Sequence, residues 1–323
     1  MRRFLAGSRV IFVRQADQVG PGATLAVWGY RPIPGRLADG VRLLRLEDGF
    51  LRSVGLGADL IRPLSWVVDE RGMYYDATRP SDLEVILGDG DFPPDLVKRA
   101  RLLRESIVAS GLTKYNLLGS LWQRPRSARR VILVPGQVES DASLAYGAPC
   151  VRTNMGLLRA VRAVNPDAYV LYKPHPDVIA QLRAPGEGEE DALDVANEQV
   201  TEVSMGALLP LVDEVHVLTS LAGFEALLRE KPVTCYGQPF YAGWGLTHDL
   251  VPLTRRSRRL TLDQLVAGAL ILYARYVSLE TGTLTTPEQA LAELCAWRAR
   301  AGVSVPWWRK AVRIVLRRVV GVR

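Results

Sequence analysis

Val131-Ile132-Leu133-Val134-Pro135-Gly136-Gln137-Val138-Glu139-Ser140-Asp141-Ala142-Ser143 starts with four aliphatic residues and breaks at Pro-Gly into a polar, acid-bearing run. A short apolar stretch stopped by turn formers reads as a buried strand feeding a loop. The same unit recurs downstream. A strand over 168–172 ends in Lys173-Pro174-His175-Pro176, and a strand over 214–218 ends in Thr219-Ser220-Leu221-Ala222-Gly223-Phe224-Glu225. Helices are expected over 154–164, near 205–212 and from Gly223, with a short strand over 233–236 and a polar insert over 186–198. Strand–loop–helix repetition of this kind predicts a parallel sheet covered on both faces. Ligands bind such sheets at the carboxyl ends of the strands. That rule brings Gln137 to Ser143, Lys173 to Asp177 and Thr219 to Glu225 together as one cleft.

The first third differs. Strands are expected over 9–13, 25–28, 41–46 and 65–69, separated by Gly- and Pro-rich turns such as Gly20-Pro21-Gly22. Helical patterns follow from the N-cap Ser81, with Glu84 three residues on, and over 94–110. The basic stretch Trp122 to Arg130 reads as a linker. The expected organisation is an N-terminal domain over 1–122, a linker over 123–130, a nucleotide-binding domain over 131–300 and a tail over 301–323.

Composition limits the function classes. The 323 residues are 48% hydrophobic and 23% charged, as in ordinary folded chains. The net charge is +7, yet Arg309, Lys310, Arg313, Arg317, Arg318 and Arg323 supply six of those charges, with no acidic residue after Pro306. The body is therefore nearly neutral and carries no broad nucleic-acid footprint. Cys150, Cys235 and Cys295 fit neither a disulfide framework nor a CxxC metal site. No run suits a signal-peptide core or a membrane span, so a cytoplasmic address is expected. The tail repeats apolar pairs every four residues (Trp307/Trp308, Ala311/Val312, Val315/Leu316, Val319/Val320). A basic amphipathic helix led by two tryptophans is the pattern of an interfacial membrane helix.

Each polar segment has its own chemistry. Lys173 and His175, between prolines, offer a rigid cationic and imidazole grip for a phosphate or carboxylate. Ser220 and the free N–H groups of a helix start make a phosphate seat, with Glu225 one turn in. Glu139 and Asp141 beside Ser143 suit acid–base or nucleophilic work at an anomeric carbon. Glu47-Asp48-Gly49 with Arg52 places a second acidic pair in the other half. Gly55-Leu56-Gly57 lacks the third glycine of a dinucleotide fingerprint.

Together these segments resemble the capsule polysaccharide β-Kdo transferases of the KpsC/LipA type. The resemblance runs from about Trp28 to Leu294. It is carried by EDGFLRSVGLGADLIRPLSWVVD (47–69), YYDATRPSDLE (74–84), VPGQVESDAS (134–143), YKPHPD (172–177), TSLAGFEAL (219–227) and YGQPFYAGWGLT (236–247). It implies an α/β, GT-B-like fold of two Rossmann-like domains with a cleft between them. It implies CMP-β-Kdo as donor, no metal or other cofactor, and retention at the anomeric centre. The acceptor implied is a Kdo-terminated glycolipid at the inner face of the cytoplasmic membrane, with other capsule proteins as further partners and no nucleic acid. Asp141 matches the covalent nucleophile, Glu47 the base for the acceptor hydroxyl, and His175 and Lys173 the donor grip. Ser220, Gly223 and Glu225, with Gln137 and Ser143, would seat the donor, and Asp48, Arg52, Tyr241 and Trp244 the substrate. Many members carry two such modules, whereas one is visible here. The alternatives are another CMP-sugar GT-B transferase and a non-catalytic membrane scaffold of capsule assembly.

Overall fold

The structure is a computed structural model describing residues 2–5, 7–55, 61–116 and 119–301. The amphipathic tail expected over 301–323 lies outside them, apart from the backbone of residue 301.

The second half builds a six-stranded parallel sheet from β4 (Val131–Pro135), β5 (Tyr169–Lys173), β6 (Glu198–Gln199), β7 (Glu214–Val217), β8 (Val233–Cys235) and β9 (His248–Asp249). Their spatial order is β6-β5-β4-β7-β8-β9. Counted within this sheet the order is 3-2-1-4-5-6, the doubly wound dinucleotide-fold arrangement, whose ligand crevice opens where the order reverses. That switch point lies between β4 and β7. Ile132, Leu133, Val134, Val170 and Leu171 are fully buried, as strands covered on both faces must be. The helix expected over 154–164 has those bounds, and the one expected from Gly223 starts two residues earlier. α4 (Asn154–Val164) is capped by Thr153, whose side chain accepts from Gly156 N, and α7 (Leu221–Leu228) by Ser220, which accepts from Ala222 N.

The first half is not a second doubly wound domain. β1 (Thr24–Trp28) pairs parallel with β2 (Arg42–Asp48), but β2 pairs antiparallel with β3 (Ser65–Asp69). The partner on the far side of β3 is β10 (Ala274–Val277), joined by β11 (Leu284–Thr285). The chain expected to stay in one domain over 131–300 therefore returns to complete the first sheet. Three of the four pairings are antiparallel, and the one parallel pair, β1 with β2, is joined by 29–41 without a crossover helix. Residues 9–13 form no strand, and Ile11 and Phe12 are two-thirds exposed. A β-prone run that pairs with nothing leaves its backbone groups to water.

Helices α1 (Asp82–Asp89) and α2 (Pro94–Ser110) follow β3. Ser81 accepts from Glu84 N at 3.1 Å, and Gly111, at φ 63°, ends α2 in the left-handed conformation that glycine adopts without strain. A π-helix (Ala267–Tyr273) and α9 (Pro287–Ala301) pack with them. The buried Asp69 binds this layer together. It accepts from the backbone of Arg71, Gly72 and Asp82 and from Tyr273 Oη at 2.8 Å. One hydrophobic core runs through both halves, from Val67 and Leu87 to Val215 and Leu270. The stretch 123–130 is no free linker either, because Arg124 grips both carboxylate oxygens of Asp213 at 2.9 and 2.7 Å.

Glu84 is the polar keystone between α1 and the segment after β9. Its carboxylate takes Arg255 and, at 2.9 Å, Arg256, whose side chain is 2% exposed and also donates to the Pro239 and Ala242 carbonyls. Glu84→Ala leaves a buried guanidinium without its counter-charge and should lower unfolding stability by about 3–5 kcal/mol. Urea unfolding checks this, and adding Arg256→Met should recover part of the loss.

Candidate active site

The cleft at the switch point has a volume of about 810 Å³, and both sheets line it. Glu47 and Asp48 close β2, Lys173 closes β5, and the segments after β4 and β7 supply Gln137, Val138, Asp141 to Ser143, and Thr219 to Ala222. The grouping expected from the strand-end rule is thus present in three dimensions. It is met from across the cleft by the acidic pair of the first sheet.

Gln137 fixes the switch point. Its side chain accepts from Thr219 N at 2.9 Å and donates to Thr219 Oγ1 at 3.0 Å, while its backbone N donates to Asn154 Oδ1 at 2.9 Å. Both ends of the amide are occupied, so Gln137 clamps the two loops together. Glu139, proposed with Asp141 as an acid pair, is also engaged: its carboxylate accepts from Asn154 N and Glu187 N. Asp141 differs. It precedes the short helix α3 (Ala142–Gly147) without capping it, and its carboxyl faces the cleft, where burial pushes its pKa up and Arg183 and Lys114 oppose that. Ser143 lies two residues further on in the wall.

Glu47 sits where β2 meets the cleft, paired in register with Val67 of β3. Gly29 makes room for it: at φ +51°, a Cβ there would lie 3.1 Å from Tyr75 Oη and 3.4 Å from Glu47 Oε2. Burial pushes the Glu47 carboxyl up to about 7, partly offset by a hydrogen bond from Asp48 N and by Lys114. Asp48 is committed to Arg52 at 2.5 Å, and Arg52 also donates to Ser53 Oγ at 2.9 Å. Two adjacent carboxylates therefore have different environments, one paired and one free to exchange a proton.

On the facing wall, burial lowers Lys173 to about 8. His175 Nδ1 accepts from Asp177 N at 3.1 Å, so the neutral ring carries its proton on Nε2. Burial first, then Lys114, Arg183 and Lys173, push that histidine down to about 4. At neutral pH it is an uncharged donor, not a cation.

Glu225 lines the cleft and accepts from Lys114 N at 2.7 Å, and burial raises its pKa. Gly223, Tyr241 and Trp244 do not line the cleft. Tyr241 is fully buried, its hydroxyl bonded to the Ser220 carbonyl, and a Cβ at Gly223 would meet that hydroxyl at 2.2 Å. Gly223 is thus the space Tyr241 fills, and the pair shapes the Ser220 turn from behind. Trp244 is 1% exposed and donates to the Phe240 carbonyl at 2.8 Å. These aromatics belong to the core, not to a substrate platform.

Lys114, Tyr74 and Arg183 are cleft residues that strand-end reasoning missed. Lys114 follows the Gly111 helix stop on a turn whose Asn116 has φ 49°. Its neighbours are Tyr115, Tyr74, Asp48 and Glu47, and their influence outweighs burial and holds its pKa above the usual lysine range. The Gly…Asn pairing was the available signal of a functional turn. Among the described residues no group of three or more His, Cys, Asp or Glu is placed to hold a metal ion.

A family model described as "Capsule polysaccharide biosynthesis protein" matches residues 25–117 and 121–278. The chain belongs to this family. Among capsule-synthesis relatives it is 49% identical over 250 residues to the capsule polysaccharide modification protein LipA of Neisseria meningitidis serogroup B, covering 77% of this chain and 36% of LipA. It is 44% identical over 258 residues to the lipopolysaccharide-processing protein LpsZ of Rhizobium meliloti, covering 79% of this chain and 59% of LpsZ. The chain thus spans little more than a third of the LipA length. Two solved structures from Thermosulfurimonas dismutans KpsC have the same fold. The β-Kdo 2,7 transferase superposes with a TM-score of 0.72 at 44% identity, covering 84% of each chain. The β-Kdo 2,4 transferase superposes with a TM-score of 0.73 at 35% identity, covering 84% of this chain and 86% of its own. No described helix is long and apolar enough to cross a membrane.

Proposed function

We propose that the chain is a retaining β-Kdo glycosyltransferase of capsule synthesis, moving Kdo from CMP-β-Kdo to a Kdo-terminated glycolipid within a GT-B-like cleft. The observation that carries this reading is the meeting of Asp141 and Glu47 in one cleft, from different sheets, beside the Ser220 seat. CMP sits on the second sheet, its phosphate at Ser220 and the first N–H groups of α7, with Glu225 toward the ribose. The Nε2–H of His175 and the ammonium of Lys173 hold the phosphate or the sugar carboxylate.

Asp141 attacks the anomeric carbon C2, the C2–O bond to the phosphate breaks, and CMP departs with the electron pair. The acceptor hydroxyl then attacks C2 as Glu47 takes its proton, and the bond to Asp141 breaks. Two inversions give retention. The basic tail, by its sequence pattern, keeps the enzyme at the cytoplasmic face of the membrane, near a lipid-linked acceptor.

The two KpsC transferases superpose equally well, but identity favours the 2,7 enzyme, 44% against 35%. A 2→7 linkage is the expected product. The test supplies CMP-β-Kdo, generated in place, and a synthetic Kdo-terminated lipid, and reads the product by NMR. A β-(2→7) Kdo extension supports the reading, and a β-(2→4) product overturns the linkage alone. No product from protein shown to bind CMP overturns the transferase reading.

A further inference from the structure

The wall of the cleft formed by the first sheet has a chemistry that the two-step reaction leaves unused. Trp28, the last residue of β1, is half-buried and lines the cleft. Its ring is set by Trp66 of β3, edge to face at 5.2 Å and 75°, and Trp66 is itself stacked on Phe4 at 4.4 Å. Three aromatic rings in series make a rigid backing that loses little entropy when a ligand settles on it. The Trp66 indole N–H is buried and has no acceptor among the described residues, beside a cleft that it lines. A buried donor in that condition is satisfied when an incoming hydroxyl reaches it.

Arg31, three residues after Trp28, and Arg62, four before Trp66, also line the cleft. Both are exposed, and among the described residues neither forms an ion pair, whereas Arg52, which also lines the cleft, is paired with Asp48. Two guanidiniums without carboxylate partners beside an aromatic face match a sugar that carries its own carboxylate. The donor machinery lies opposite, on the second sheet, so this wall faces the incoming acceptor.

We propose that Trp28, Arg31 and Arg62 form an acceptor subsite for the terminal residue of an acidic glycan, its ring against Trp28 and its carboxylate on the two guanidiniums. The assignment of this side to the acceptor rests on the transferase reading, and the chemistry of the subsite rests on the wall itself. Selectivity for an acidic acceptor then comes from the first sheet, independently of the groups that hold the donor.

Binding of the methyl glycoside of Kdo and of its C1 carboxamide, titrated with CMP present, tests this directly. The wild type should bind the acid at least about tenfold more tightly than the amide, the loss expected when an arginine–carboxylate pair is removed. Arg31→Ala/Arg62→Ala should lose that preference while CMP affinity, which reports folding, stays within about twofold. Trp28→Ala should weaken both glycosides alike. Equal binding of acid and amide by the wild type overturns the subsite, as does an unchanged preference in the double variant. A loss that falls on CMP affinity overturns it too, by assigning the arginines to the donor. If the binding pattern holds but no Kdo is transferred, the subsite stands and the transferase reading fails.

Discussion

Asp141→Ala should reduce Kdo transfer by at least about 10³-fold while CMP affinity stays within about twofold. The asymmetry follows from where the residue sits. Asp141 precedes α3 without capping it, so removing its carboxyl breaks no helix cap. The nucleotide seat proposed at Ser220 belongs to a different strand end, and Gln137 holds that loop through Thr219 rather than through Asp141. A nucleophile that splits one displacement into two cannot be replaced by proximity alone, because direct attack by the acceptor from the same face is blocked by the leaving group. Intact-protein mass spectrometry adds a second readout. Wild type given donor without acceptor should carry one Kdo residue, and the variant none. A variant that keeps a tenth or more of the wild-type rate would remove Asp141 from the mechanism.

Glu47→Gln should cut turnover by about 10²–10⁴-fold, the usual range for a general base, and should remove the acidic limb of the pH profile. The base works deprotonated, and burial places its carboxyl at about 7. Wild-type activity should therefore fall about tenfold per pH unit below 7, and should decline again above about 8 as Lys173 loses the ammonium that holds the donor. The same burial has a stability signature of opposite direction. A carboxyl whose folded pKa is raised is favoured by the fold while protonated. That contribution is full below its unfolded value near 4.5 and is lost as pH rises through about 7. At pH 8 to 9 the charged Glu47 costs on the order of 3 kcal/mol at most, so the glutamine variant should unfold at higher urea there and match the wild type near pH 4. Unchanged midpoints across that range would mean that Glu47 is not held in a dry site, and its assignment as base would fall with it.

The parts of the site that sequence made legible share one property: they follow strands. Asp141, Lys173, His175 and Ser220 come directly after short apolar runs closed by turn formers, and the strand-end rule carries them into one place without any knowledge of packing. Lys114, Tyr74 and Arg183 reach the same cleft from loops with no periodicity, and only long-range packing delivers them. The failures on the aromatic side have the same cause. Tyr-Ala-Gly-Trp at 241–244 looks like a sugar platform by composition, yet whether an aromatic ring faces ligand or core depends on the neighbours that cover it. Tyr241 is covered by Gly223 and the Ser220 turn. The first sheet was the least legible part because β3 depends on β10, a partner from the far end of the fold. No local pattern announces a pairing of that separation.

That pairing also sets an order of events at the ribosome. The parallel sheet is written without interruption between Val131 and Asp249, so its six strands can assemble as they emerge. The first sheet begins earlier and finishes later, since one side of β3 stays an open edge until Ala274–Val277 has been synthesised. During that interval Trp66 and Val67 sit on an edge strand paired on one side only, the kind of surface that invites pairing with another nascent chain. The half of the protein made first is thus the last to close, and the lateral protection of β3 waits on the completion of everything it faces across the cleft.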